Sequence, residues 1–181
     1  MTNNAKMKYY LSKKVFPLLI EKGFTGKYPH FRRICSNYIE LISIQTNKWG
    51  GSFTIEVSAV FPNSIRKNYS DSSCKTEKEE LTVWNTNERY RLKGMYKGWF
   101  YYRDLYVKYI DGFGKTYLDV NEKQSADFVV PEGYKLVQKF NDTTAAEICD
   151  EINKQLDDAF EWLRKFENKR LLVRLFRHHY K

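Results

Sequence analysis

Apolar residues recur along this chain in two rhythms, a helical one at each end and a two-residue one between. Over residues 5–22, Tyr9, Leu11, Val15, Phe16, Leu18, Leu19 and Ile20 make a broad apolar face, with Lys6, Lys8, Lys13, Lys14 and Lys22 on the other side. Pro17 predicts a kink or an early end to this helix, because it lacks an amide donor and crowds the preceding turn. Gly23 is the expected stop. Strands are predicted over 31–35, 38–46 and 52–61, with Trp49-Gly50-Gly51 as a hairpin loop between the last two. The third is the clearest: Phe53, Ile55, Val57, Ala59 and Phe61 point one way, and Thr54, Glu56 and Ser58 the other. That alternation predicts a sheet with one buried face and one polar, open face.

Residues 62–80 are polar and turn-rich and read as a long loop or insertion. Further strands are expected over 81–84, 100–110, 115–120 and 134–140, with Asp111-Gly112-Phe113-Gly114 as a turn. A long helix should begin at Thr144, where Thr144-Ala145-Ala146-Glu147 has the form of a capping box. Ile148, Ile152, Leu156, Ala159, Phe160, Leu163 and Phe166 continue it as a stripe at three- and four-residue steps. Asn168 is a candidate break, and 171–180 a short extra helix within a basic C-terminal extension, 168–181. The sum is one α+β domain over residues 1–181: an antiparallel β-sheet with N-terminal and C-terminal helices packed on one face.

Charge changes this picture more than composition does. The net charge is +9, but residues 1–33 carry eight Lys/Arg against one acid and residues 164–181 seven against one. The basic ends therefore flank a mildly acidic middle, and such ends suit nucleic acid, anionic lipid or an acidic protein, or are simply solvated helix faces. Cys35, Cys74 and Cys149 are odd in number and widely spaced, so no disulfide framework is expected. No apolar leader and no stretch of membrane-spanning length is visible, and a cytoplasmic location is expected.

The order of these signals resembles the bacterial family known as domain of unknown function 4304. Gly23-Phe24 followed by Phe31-Arg32-Arg33 carries part of the likeness. Ile42-Ser43-Ile44-Gln45 leading through Lys48-Trp49-Gly50 into Phe53-Thr54-Ile55-Glu56-Val57 carries more. Tyr90-Arg91-Leu92 and Gly98-Trp99-Phe100 add to it, so that it spans roughly residues 8–105. The long polar loop and the basic extension depart from the family pattern. The resemblance implies the fold and a bacterial origin, and no activity.

Catalytic constellations are sparse. His30, His178 and His179 are the three histidines, and no Cys/His spacing suits zinc, so neither a metal nor another cofactor is expected. Cys149 next to Ile148 reads as a structural thiol. Adjacent acids at Glu79-Glu80, Asp150-Glu151 and Asp157-Asp158 read as solvated faces, and Lys93-Gly94-Met95-Tyr96-Lys97-Gly98 lacks the phosphate-loop pattern.

Two stretches suggest binding. Trp99, Tyr101 and Arg103, near Arg89 and Arg91, set aromatic rings among cations, as single-stranded nucleic acid requires; the same residues also suit an ordinary aromatic strand. Arg170, Arg174 and Arg177 share one side of a tail whose other side is Leu171, Leu172, Leu175 and Phe176. That tail either packs on the domain or meets a partner, RNA or, weakly, a membrane surface. The leading expectation is a non-catalytic protein-binding accessory module using the open sheet face. A nucleic-acid-binding domain is the alternative, and an enzyme with a scattered site the second alternative.

Overall fold

The computed structural model describes residues 1–36, 38–61, 81–95, 98–110, 114–120 and 128–178, with side chains described as far as Lys165. The expected loop at 62–80 and the Asp111-Gly112-Phe113 portion of the expected turn lie outside these residues, as do the side chains of the C-terminal tail.

Two short helices open the chain, α1 (Asn3–Lys14) and α2 (Phe16–Glu21). The Thr2 hydroxyl accepts from the Ala5 amide at the start of α1 (3.3 Å). The break expected near Pro17 falls just before it, at Val15, whose amide still donates to the Leu11 carbonyl (2.9 Å). Pro17 thus sits in the first turn of α2, where a missing amide hydrogen has no consequence. The strands β1 (Thr25–Lys27), β2 (His30–Ile34), β3 (Ile39–Thr46) and β4 (Ser52–Val60) follow, then β5 (Tyr90–Arg91) and β6 (Phe100–Tyr101). They form a six-stranded sheet in the order β1-β2-β3-β4-β5, with β6 also on β4. β7 (Asp104–Ile110), β8 (Gly114–Val120) and β9 (Lys135–Gln138) form a three-stranded sheet with β7 central. The pairings β1–β2, β2–β3, β4–β5, β4–β6, β7–β8 and β7–β9 are antiparallel. α3 (Asp142–His178) closes the chain. The fold is mixed α+β, with antiparallel sheets, an N-terminal helix and a C-terminal helix.

Four local expectations change. The strand expected over 81–84 is instead a 3-10 turn at Val83–Asn85, stapled by the Thr82 amide on Asn85 Oδ1 (2.9 Å). Leu81 and Val83 are buried in one cluster with Ile39, Leu41 and Val60, so their alternation reflects a lid lying on a sheet. The strand expected over 100–110 is interrupted at Tyr102-Arg103, because the Tyr102 amide turns to the Gly51 carbonyl (3.0 Å). α3 starts two residues early, since Asn141 Oδ1 accepts from the Thr144 amide (2.9 Å) and the Thr144 hydroxyl donates to the Lys139 carbonyl. Asn168 does not break the helix, and 171–178 continue it.

The chain packs as two compact units, each assembled from three segments: residues 1–18, 46–54 and 93–152, and residues 19–45, 55–92 and 153–181. In the first unit, Lys6 and Lys14 of α1 pair with Asp142 and Asp150 of α3 (3.1 and 2.9 Å). Phe53 stacks on Phe100 (5.4 Å between centroids), and Tyr102 meets Phe140 edge-on. In the second, Phe160 of α3 stacks on Phe24 (5.8 Å) and Trp162 leans on Tyr90 of β5 (6.0 Å).

β4 overturns the expected open sheet face. All nine of its residues are buried, including Thr54, Glu56 and Ser58. In the second unit the cause is the segment 81–92: Leu81 and Val83 bury Val60, and Ser58 Oγ lies within hydrogen-bond distance of Thr86 Oγ1 (2.7 Å) and the Glu88 carbonyl (2.5 Å). Ser58 and Glu56 are thereby buried with hydrogen-bond partners, whereas the buried Thr54 hydroxyl has none among the described residues.

Candidate functional site

In the first unit the hairpin between β3 and β4 presents Trp49 at its tip, 77% exposed. Its backbone is closely tied. The Asn47 amide bonds the Ser52 carbonyl and the Gly50 amide the Asn47 carbonyl (2.9 Å each), while Asn47 Oδ1 accepts from the Trp49 amide (3.0 Å). Gly50 and Gly51 both have positive φ, 74° and 75°, a conformation costly for other residues. Arg103 braces the turn from beneath: its Nη2 donates to the Gly50 carbonyl (2.8 Å) and pairs with Asp119 (2.9 Å). A Cβ on Gly51 would stand 2.1 Å from Arg103 Nε. Lys48 Nζ lies 4.0 Å from the Trp49 ring centroid, in cation–π range.

The second unit carries a polar cluster on one sheet face. Parity along the strands places Ser43 with Ile39 and Leu41, and Glu56 with Val60; the shared cluster of Ile39, Leu41 and Val60 puts all of these on the same face. His30 is paired with Ser43 across β2 and β3, and its Nδ1 lies 2.9 Å from Ser43 Oγ. Trp84 meets the His30 ring edge-on (5.2 Å). Partial burial, and then the neighbouring Arg32 charge, lower the His30 pKa from its ordinary value. A histidine beside a serine has the form of a nucleophilic pair, but Ser43 is buried and so closed to a substrate.

Glu56, 4% exposed, is opposite Arg91 in the β4–β5 pairing. Arg91 directs Nε (2.9 Å) and Nη2 (2.5 Å) at Oε1, and Arg89 Nη1 lies 3.4 Å from Oε2. Glu40 is treated alike on the opposite face by Arg33, which also donates to the Lys22 carbonyl (2.6 Å) and covers the Phe24 ring. Buried carboxylates persist in an apolar interior only when charged partners satisfy them. Sequence reading missed both acids, since a lone Glu inside an apolar strand looks like a solvent-facing residue; the signal available was an Arg on the neighbouring strand.

The aromatic–basic stretch divides between the units. Trp99, Tyr101 and Arg103 belong to the first. Phe100 and Tyr102 are interior, Trp99 and Tyr101 are half-buried, and Arg103 is 8% exposed, serving the hairpin. Gln138 Nε2 donates to the Tyr101 and Arg103 carbonyls (2.7 and 2.9 Å). Arg89 and Arg91 belong to the second unit and converge on Glu56. Arg170, Arg174 and Arg177 fall on the helical backbone of α3, and their side chains lie outside the described residues.

Burial pushes the Cys149 thiol up to about 12, which makes it a poor nucleophile. Among the described residues no three His, Cys, Asp or Glu side chains are placed to hold a metal ion, and no helix is long and apolar enough to cross a membrane. No curated protein and no solved structure matches the chain significantly. A family profile does match, over residues 15–165, and so takes in most of α3 beyond the segments that carry the resemblance noted above. The chain belongs to the family described as domain of unknown function (DUF4304).

Proposed function

We propose that this chain is a non-catalytic binding module, that its partner is another protein, and that Trp49 is the anchor of the contact. The observation that supports this reading is the exposed indole on a turn held by its own hairpin bonds and by Arg103. Large aromatic side chains concentrate binding energy at protein interfaces, and a pre-ordered turn avoids the entropy cost of fixing a loop on binding. Arg103, one of the cations the sequence offered for nucleic acid, instead serves an internal contact at the base of this turn. An accessory role in a bacterial cytoplasm fits the resemblance and the lack of a cysteine framework.

The test is a tagged pull-down from the native host with the parent chain and Trp49→Ala, washed at low and high salt with and without nuclease. A discrete protein that survives nuclease and high salt and is lost with Trp49→Ala is expected. Nucleic acid released at high salt, with no such protein, would replace this reading with the nucleic-acid alternative, because phosphate contacts weaken steeply as counterions compete.

A further inference from the structure

We propose that Arg89 and Arg91, held by the buried Glu56, form an anion site for the phosphate monoester group of a small ligand. One carboxylate meets two guanidinium groups, so the cluster keeps a net positive charge after Glu56 is satisfied. Each guanidinium has five N–H donors. Arg91 directs two nitrogens and Arg89 one at Glu56, and among the described residues the remaining donors have no partner. They face outward, since the Arg89 and Arg91 side chains are 32% and 44% exposed.

The surroundings order this pair. Tyr90 alternates to the opposite sheet face, where it leans on Trp162, so the arginines on either side of it share the Glu56 face. The approach to β5 is tied down where Ser58 Oγ lies within hydrogen-bond distance of Thr86 Oγ1 and the Glu88 carbonyl. The Leu92 amide, just after β5, bonds the Ile55 carbonyl (3.0 Å). Two guanidinium groups gathered at the two oxygens of one carboxylate suit a tetrahedral dianion, whose several oxygens can accept from both. A single carboxylate offers half that charge and fewer oxygens. Glu56 does for this pair what a supporting residue does in a designed site: it fixes the donors before the ligand arrives.

The test follows the arginine Nε–Hε resonances by 1H–15N NMR during titration with phenyl phosphate and inorganic phosphate, at ionic strength held constant with sodium chloride. Saturable shifts at Arg89 and Arg91 are expected with both, and weaker ones with acetate. Arg89→Gln should weaken binding by about tenfold while Arg91 stays on Glu56, and Arg91→Lys should weaken it comparably by losing the fork. Should Arg91→Lys unfold, Arg89→Gln decides, with its amide spectrum as the check on folding. Shifts that never saturate, that chloride reproduces, or that Arg89→Gln leaves unchanged would overturn the proposal. Trp49 takes no part in this site, so such a failure leaves the protein-binding reading standing, and the converse holds.

Discussion

Gly51→Ala should destabilise the protein far more than Gly50→Ala, although both glycines have nearly the same φ. At Gly50 a Cβ meets nothing within 4 Å, so only the left-handed backbone penalty applies, about 1–2 kcal/mol. At Gly51 the same penalty is joined by a collision with the Arg103 guanidinium, at 2.1 Å from Nε and 2.4 Å from Cζ. Arg103 must then leave the Gly50 carbonyl, a bond from a charged donor of the kind that contributes roughly 1.5–3 kcal/mol. Its pairing with Asp119 adds little, because that carboxylate is well exposed. The expected loss is therefore about 2.5–5 kcal/mol for Gly51→Ala against about 1–2 kcal/mol for Gly50→Ala. Urea unfolding followed by circular dichroism measures both. Repeating Gly51→Ala in an Arg103→Ala background should reduce its cost to that of Gly50→Ala, since the colliding group is gone. Equal costs for the two glycine substitutions in the parent chain would refute the brace assigned to Arg103.

Ile55→Ala, in the buried β4, should cost about 2–5 kcal/mol by the same measurement, whereas Ile34→Ala, 64% exposed, should stay within about 0.5 kcal/mol. His30 has a folded pKa below its unfolded value, so the unfolded chain binds the proton more readily. Its contribution to stability is present above the unfolded pKa of about 6.5 and is lost as pH falls through the folded one. His30→Gln should flatten that part of the dependence of the urea midpoint on pH below 7; an unchanged slope would remove His30 as its source. Iodoacetamide should alkylate half-buried Cys35 before buried Cys149, whose thiol is pushed up to about 12, with peptide mass spectrometry reading the order.

The strand rhythm of 52–61, the apolar stripe from Ile148 to Leu163 and the break near Pro17 were legible because each is a local preference repeated over several residues. The likeness to the family likewise rested on contiguous segments. The two faces of β4 were not legible in the same way. Alternation reports where side chains point, not what comes to cover them, and the cover here is residues 81–92, brought back across an intervening stretch of chain. The partners of Glu56 are 33 and 35 residues away in sequence, which no local pattern encodes. Arg103 illustrates the same limit. Beside Trp99 and Tyr101 it read as a surface cation, whereas its partner is a carbonyl 53 residues earlier. Sequence alone determined the terminal helices and the longer strands, because backbone preference and apolar spacing act over a few residues, but not the 3-10 turn at Val83–Asn85 or the interruption at Tyr102-Arg103. Only the tertiary structure decided which charges are satisfied internally and which remain for a ligand, because desolvation and pairing depend on neighbours that folding supplies.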